Sequence, residues 1–417
     1  MDPQGEKKLN RTFPGLDALR ALLAFYLVLF HTLPSYKEYG SMRLYDVFGF
    51  GGYATSTFFV LSGFILSHIY IGAEPRRGFK VSASRFFIKR FSSLYPIHIF
   101  TMLLTVALTF LSSHPNDTLL QTIAPQTRGA DEAVLNLIMQ LLLLQAWNPF
   151  YLSYNIPAWS ISTLMFFYLV FPVFAPRLMR MSNKTTMLFS VCAVNLVVAL
   201  VAVLEKWYGI GAMGILHTNA LLRLPEFLAG ILAYGVFVKK SDEITDAVAR
   251  HWHCLLFFLT VIFCIASYVY ANGSHSIRVL LHNGAMLPTQ IIVVIVFACL
   301  LRDASAQSRE FVRRLGNASL SIFALQSPLF DLYAKAEKIL DLPFPILSCL
   351  DRLHLCAHIA GGIPLRFSFY PIFLVLFACA AIAFQEKVVA PMRTHIRRVL
   401  TREKVAAVSV HPVVSSD

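Results

Sequence analysis

Long apolar stretches recur along the chain and constrain its fold more than any other feature. Of its 417 residues, 57% are hydrophobic and only 14% are charged, whereas a soluble domain carries roughly 25% charged residues. An apolar run of about 20 residues can cross a bilayer as a helix. The sequence therefore predicts an all-α polytopic membrane protein, and it excludes a disordered chain or a small disulfide scaffold. The eleven stretches lie near 16–33, 48–71, 94–112, 134–147, 158–176, 186–204, 220–238, 254–271, 286–301, 317–335 and 368–386.

Basic residues between the stretches indicate how many of them cross. Cytoplasmic loops of membrane proteins carry an excess of Lys and Arg. If every stretch crossed, the basic segments that follow residue 176 would all lie outside; if 134–147 does not cross, they all lie inside. That stretch has 14 residues, too few for a span. We therefore predict about ten transmembrane helices with both termini cytoplasmic, and 134–147 as a re-entrant or interfacial helix.

The rest of the chain offers little beyond this membrane domain. We expect a cytoplasmic segment at 1–13, a transmembrane domain at 14–393, and a basic, then polar, cytoplasmic tail at 394–417. The charged N-terminus runs into the first stretch without a small-residue cleavage site, so we expect that helix to be retained and no soluble domain to be fused at either end. Basic residues that collect in cytoplasmic loops and fix the orientation of the helices in the membrane account for the net charge of +13. No basic run is interleaved with the aromatic platforms that nucleic acid requires, so we expect no nucleic-acid partner.

The first stretch carries ionisable residues, which are costly inside a membrane and often functional. Arg20 and His31 are eleven residues apart, which places them about 20° apart on one helix face and roughly 16 Å apart along the axis. Asp17 lies one turn from Arg20. A fixed guanidinium suits a phosphorylated ligand, and a buried imidazole suits proton abstraction. A snorkelling arginine and a packing histidine are an equally good interpretation of the spacing alone.

Other candidates have a structural interpretation beside the functional one. Gly52, Ser56, Gly63 and Ser67 share one face of the second stretch, a pattern that favours close helix packing. Ser62 could be an acyl-accepting nucleophile, but no base partner is evident.

The charged candidates are also ambiguous. The basic residues of the loop before the third stretch suit either membrane orientation and anionic lipid or a phosphate cradle; they are Arg85, Lys89 and Arg90. Arg223 and Glu226 have the spacing of a buried ion pair. His354 and His358 have no evident third ligand, so we expect no metal site.

Six segments, in this order, resemble the membrane-bound acyltransferase family 3, without a fused extracytoplasmic domain. The resemblance covers about residues 11–393. Singly most of these motifs are weak, but their order is specific. They are LDALR…FH at Leu16–His31, FFVLSGF at Phe58–Phe64, RFFIKRFSSLYP at Arg85–Pro96, WSISTLMFFYLVFP at Trp159–Pro172, LGNASLSIFALQSPLF at Leu315–Phe330 and QEKVVAPMR at Gln385–Arg393.

The resemblance implies a multi-pass enzyme of the inner (plasma) membrane that transfers acyl groups, commonly acetyl, to extracytoplasmic carbohydrates and some lipid or macrolide acceptors. It shifts the interpretation of Arg20 and His31 towards catalysis, because they match the family's Arg-x10-His signature. Two positions depart from the family. Leu164 stands where the family usually has Glu, and Gln326 stands where it often has His. Gln cannot exchange a proton near neutral pH, so His31 remains the embedded group for that role.

The hypothesis is O-acyl transfer from acyl-CoA, with acetyl-CoA as the expected co-substrate, to a hydroxyl of an extracytoplasmic carbohydrate or glycolipid. No permanently bound cofactor is expected. Arg20 with Arg85, Lys89 or Arg90 would bind the phosphates, and His31 would take the acceptor's proton. Ser62 or Trp159 could hold the thioester, although the sequence does not assign that role. A proton-coupled secondary transporter and a catalytically degraded family member are the alternatives, and the oligomeric state stays open.

Overall fold

The computed structural model describes residues 13–72, 79–110, 130–150, 154–341 and 362–408. These residues form α-helices joined by turns and contain no β-strand. We number the longer helices α1 Pro14–Thr32, α2 Gly51–Tyr70, α3 Ala83–Phe110, α4 Ala130–Leu141, α5 Trp159–Arg180, α6 Lys184–Leu204, α7 Ile210–Thr218, α8 Ala220–Lys239, α9 Ser241–Asn272, α10 His275–Leu280, α11 Leu287–Cys299, α12 Ala306–Leu340, α13 Tyr370–Phe384 and α14 Ala390–Val408.

The described helices confirm the all-α polytopic fold class. Eight helical segments are long and apolar enough to cross a membrane, and the pair α10–α11, bent by 43°, would make a ninth. The predicted span at 317–335 lies within α12, which has 35 residues, falls outside that apolar set and packs along α1. The stretch 134–147 forms α4, a helix of only 12 residues, and a short 3-10 turn. This helix is too short to cross, as the sequence predicted.

Four helices form the centre of the bundle. α1 packs between α12 and α2, α2 packs between α1 and α8, and α8 also contacts α5 and α6. By contrast, α6 and α9 expose many large apolar side chains, among them Leu204 and Phe257. Exposed apolar faces of this kind are expected of helices that contact lipid. Side chains on α1, α2, α5, α8 and α12 therefore face the interior, where a site can form.

One prediction about local structure was wrong. The basic residues Arg85, Lys89 and Arg90 lie in the first turns of α3 and not in a loop. The Ser82 hydroxyl accepts a hydrogen bond from the Arg85 backbone N–H at 3.3 Å, as an N-cap residue does. Between Ala83 and Pro96 the chain contains no Gly or Pro that would interrupt a helix. The helix therefore begins eleven residues before the apolar stretch at 94–112.

Two glycines allow α2 and α8 to approach closely. A Cβ atom at Gly63 would lie 2.2 Å from the carbonyl oxygen of Phe227, and one at Gly230 would lie 1.9 Å from that of Val60. Real Cβ atoms do not approach backbone oxygen so closely, so any larger residue would push the helices apart. This geometry agrees with close helix packing along the second stretch.

Gly63→Ala should therefore destabilise the protein by about 1–3 kcal/mol, the usual cost of overpacking. The unfolding temperature of the purified protein in detergent measures the effect. Gly209→Ala is the matched control, because a Cβ atom there meets nothing within 4 Å. Equal unfolding temperatures for the two variants would contradict the close contact.

Candidate active site

Two arginines meet at one end of the bundle. Arg20 on α1 pairs with Asp17 at 3.5 Å and keeps 30% of its side chain exposed. Arg90 on α3 donates to the Tyr70 hydroxyl at 2.7 Å, and its guanidinium lies 5.2 Å from the centre of that ring. Both arginines line the same cavity. We call this part of the bundle the basic end.

A cavity of about 200 Å³ is lined in part by these two arginines. Beyond them its wall is mainly apolar, and it reaches Leu27 on α1, one helical turn before His31. Since seven residues separate Arg20 from Leu27, the cavity follows α1 for roughly 10 Å. The lining residues that bear on function are Arg20, Leu27, Ser62, Arg90 and Leu164.

The structure brings together only some of the predicted site residues. Ser62 and Arg90 line the cavity with Arg20, whereas Arg85 and Lys89 are exposed on α3 and lie outside its lining. Trp159 is buried and outside the lining too. Its ring lies 4.6 Å from that of His217. His354 and His358 fall outside the described residues.

The last helix adds positive charge to the basic end. Arg397 on α14 donates to Ser92 Oγ at 3.1 Å, to the Lys89 carbonyl at 3.2 Å and to Ser93 Oγ at 3.3 Å. Its charge interacts with those of Arg90 and Arg393. The sequence pattern had indicated only an orientation signal for these tail arginines. Several guanidiniums gathered around few carboxylates form a surface suited to a polyanion.

His31 has a defined tautomer. Its Nδ1 lies 2.8 Å from the Leu27 carbonyl oxygen. A carbonyl oxygen can only accept, so Nδ1 carries the proton and Nε2 of the neutral ring has a lone pair. Gln326 on α12 is fully buried, and neither polar atom of its amide has a hydrogen-bond partner among the described residues. His31 is therefore arranged as a proton acceptor.

A buried polar network joins α2 and α8. Arg223 Nη1 donates to Glu226 Oε1 at 2.9 Å, and Ser56 Oγ donates to the same oxygen at 2.8 Å. The Arg223 and Glu226 side chains are 3% and 2% exposed, which confirms the predicted ion pair. Arg223 also donates to the backbone carbonyls of His217 at 2.9 Å and His282 at 3.2 Å.

Comparison with known proteins identifies the family. Residues 13–385 match the model of the acyltransferase domain that corresponds to acyltransferase family 3. The chain belongs to this family. It is 30% identical over 174 residues to "Acyltransferase MdmB" of Streptomyces mycarofaciens, which is 40% of each chain. It is 22% identical over 329 residues to "Peptidoglycan O-acetyltransferase OatA" of Listeria monocytogenes, covering 76% of this chain and 49% of the relative.

A third relative is similar over a shorter stretch than the Listeria protein. "O-acetyltransferase OatA" of Staphylococcus aureus is 24% identical over 205 residues, covering 47% of this chain and 31% of the relative. The chain thus spans half or less of the length of these three relatives. No solved structure matches the fold significantly.

Proposed function

We propose that this acyltransferase-family member transfers an acetyl group from acetyl-CoA in the cytoplasm to a hydroxyl of an extracytoplasmic carbohydrate or glycolipid. The family match and the relatives' names support O-acetyl transfer. The observation that carries the proposal is a mainly apolar cavity that is lined by two guanidiniums and by Leu27, which lies one helical turn before a histidine with a proton-accepting nitrogen.

The donor's charge and shape agree with this cavity. Coenzyme A carries phosphates at one end and a thin pantetheine arm at the other. Arg20 and Arg90 would bind the phosphates at the basic end. A volume of about 200 Å³ is smaller than the roughly 300–1,000 Å³ pocket of a whole drug-sized ligand, so the cavity suits the arm alone. Arg85, Lys89 and Arg397 would contact the part of the donor that stays outside.

The chemistry requires a base and a path for one proton. His31 Nε2 would take the proton of the acceptor hydroxyl as its oxygen attacks the thioester carbon. The new carbon–oxygen bond forms, the carbon–sulfur bond breaks, and the proton passes from His31 to the coenzyme A sulfur. Ser62 lines the cavity and is a candidate donor to the thioester, and Trp159 would shape the acceptor side. Leu164 lines the cavity with an apolar side chain. No carboxylate therefore takes part from position 164.

Arg90→Ala and Arg20→Ala should each raise the KM for acetyl-CoA about 10- to 100-fold, because a hydrogen bond to a charged group contributes about 1.5–3 kcal/mol. The assay uses membranes from a host that lacks the gene, with each variant returned and labelled acetyl-CoA titrated, so that the native acceptor is present. Arg309→Ala is the control, since Arg309 is exposed on α12 and outside the cavity lining. Wild-type KM values in both cavity variants would contradict the donor site.

The acceptor class has its own test. Mass spectrometry of surface glycans from cells with and without the gene should show a species heavier by one acetyl group only where the gene is present. Identical spectra would contradict the carbohydrate or glycolipid acceptor.

A further inference from the structure

A second cavity lies at the end of α1 that is away from the basic end. Arg20 is in the second turn of α1, and the helix ends at Thr32, roughly 18 Å further along its axis. The cavity has a volume of about 810 Å³, within the range of about 300–1,000 Å³ that is usual for small-ligand pockets. We call it the distal groove. Three helix ends supply its lining residues: Lys37 and Glu38 follow α1, Asp341 follows α12, and Arg366 and Phe367 precede α13.

The distal groove is at the same end of α1 as His31. His31 is the last residue but one of this helix, and Lys37 follows it by six positions, which span at most about 20 Å. The Thr32 hydroxyl, next to His31 in the chain, is 2.7 Å from the Tyr370 hydroxyl. The Tyr370 ring stacks on that of Phe367, with the ring centroids 5.9 Å apart. A ligand in the distal groove therefore lies at the His31 end of α1 and not at the Arg20 end.

The charges of the distal groove differ from those of the basic end. Its charged lining residues are two cations and two carboxylates, namely Lys37, Arg366, Glu38 and Asp341. Their formal charges cancel. A polyanion such as coenzyme A would meet both carboxylates there, and like-charge contacts of this kind disfavour a ligand. A sugar hydroxyl both donates and accepts hydrogen bonds, so it can accept from the cations and donate to the carboxylates. The groove thus suits an uncharged ligand with many hydroxyls.

Four buried oxygens in this region have no hydrogen-bond partner in the described part of the chain. They are Glu38 Oε2, Glu337 Oε2 and the hydroxyls of Tyr36 and Tyr39. Glu38 itself lines the groove, and the other oxygen of Glu337 accepts the backbone N–H of Arg366 at 2.6 Å. Buried polar atoms in proteins are nearly always hydrogen-bonded. The unpaired Glu38 oxygen in the groove wall therefore independently indicates a ligand that donates hydrogen bonds.

Arg366 is held in a defined orientation at the groove. Its Nε lies 2.8 Å from Asp341 Oδ2, and its guanidinium lies 5.9 Å from the centre of the Phe369 ring. Its side chain is nevertheless 60% exposed. A guanidinium has five N–H donors, so the pair with Asp341 leaves donors for a ligand.

We propose that the distal groove is the acceptor site of this acyltransferase and that it binds an uncharged carbohydrate. This inference rests on the proposed acyl transfer and adds to it the ligand class and the residues that hold the ligand. Arg366 and Lys37 donate to sugar oxygens. Glu38 and Asp341 accept from sugar hydroxyls. The donor and the acceptor thus bind at opposite ends of α1, and the groove holds the sugar at the end that carries His31.

Arg366→Ala should weaken carbohydrate binding about 10- to 100-fold, the usual effect of losing a hydrogen bond from a charged group. The probe is the pool of oligosaccharides released from surface glycans and glycolipids of a host that lacks the gene, labelled and separated into an uncharged and an anionic fraction. Equilibrium dialysis against the purified full-length protein in detergent measures binding. We expect the wild type to bind the uncharged fraction and not the anionic one. The KM of the variant for acetyl-CoA in membranes should stay within about 3-fold of wild type, because the donor phosphates bind at the other end of α1.

Arg43→Ala is the matched control. Arg43 also follows α1, pairs with a carboxylate at 2.8 Å and has a side chain that is 64% exposed, but it lies outside the groove lining. This variant should bind the uncharged fraction as the wild type does. If Arg366→Ala does not fold, Glu38→Gln, which keeps the shape of the side chain, should weaken binding at least about 3-fold.

Three results would overturn the inference: wild-type affinity in a folded groove variant, preference for the anionic fraction, or binding of neither fraction. Transfer of labelled acetyl from acetyl-CoA is measured in parallel in membranes that carry the wild-type protein. Any of the three results together with wild-type transfer would reject the distal groove as the acceptor site and leave the proposed transfer intact. Absence of transfer by the wild-type protein would reject the proposed function itself.

Discussion

His31→Ala should lower the rate of acetyl transfer about 10²- to 10⁴-fold, the range that a general base contributes. The substitution removes the imidazole of His31, whose Nε2 is the proton-accepting nitrogen. Gln326 has an amide that cannot take up a proton near neutral pH. The KM for acetyl-CoA should change little, since in the proposed function Arg20 and Arg90 would bind the donor at the basic end.

The measurement is incorporation of labelled acetyl from acetyl-CoA into membranes that carry equal amounts of wild-type and variant protein. His98→Leu serves as the matched loss of a buried imidazole, because His98 bonds the Gln140 carbonyl at 2.8 Å outside the cavity lining. His31→Gln should be as inactive as His31→Ala, which distinguishes loss of a base from loss of a packing group. A His31→Gln protein that works at the wild-type rate would remove His31 from the chemistry.

Breaking the Arg223–Glu226 pair should have the largest effect on stability. Removing one partner leaves the other charge buried without compensation, at a typical cost of about 3–5 kcal/mol. Arg223→Met would also remove the donor that both histidine carbonyls share. We expect a large fall in the unfolding temperature of the purified protein for Arg223→Met and for Glu226→Leu.

The double variant provides the control for this prediction. Replacing both members by apolar residues of similar volume removes the uncompensated charge, so Arg223→Met with Glu226→Leu should be more stable than either single variant. If the unfolding temperature of the double variant falls by the sum of the two single-variant falls, the two charges do not stabilise each other.

The sequence predicted the features that depend on local pattern. Apolar length identified most of the long helices of the bundle, although 317–335 fell outside the helices apolar enough to cross, and it identified 134–147 as too short for a span. Spacing along one helix related Arg20 to His31, and the i,i+3 spacing of Arg223 and Glu226 predicted the ion pair at 2.9 Å. Resemblance identified the family, because the order of its motifs is a property of the chain itself.

Long-range geometry was beyond such patterns. The hydrogen bond between His217 and His282 joins residues 65 positions apart, and it depends on a π-helical turn that no periodicity indicates. Arg397 donates a hydrogen bond to Ser92, which is 305 positions away in the sequence. The residues around Arg397 in the sequence indicated only that this segment is positively charged. The start of α3 at Ala83 was missed because hydropathy detects the apolar part of a helix and not its polar first turns.

In the proposed transfer, the donor enters from the basic end on the cytoplasmic side and the acceptor enters from the opposite side. Sealed vesicles of both orientations, made from the same cells, test it directly with labelled acetyl-CoA, whose phosphates prevent it from crossing the bilayer. We expect inverted vesicles to acetylate the glycans enclosed within them, and we expect this label to be lost with His31→Ala. Labelling confined to right-side-out vesicles, or labelling unchanged by His31→Ala, would contradict it.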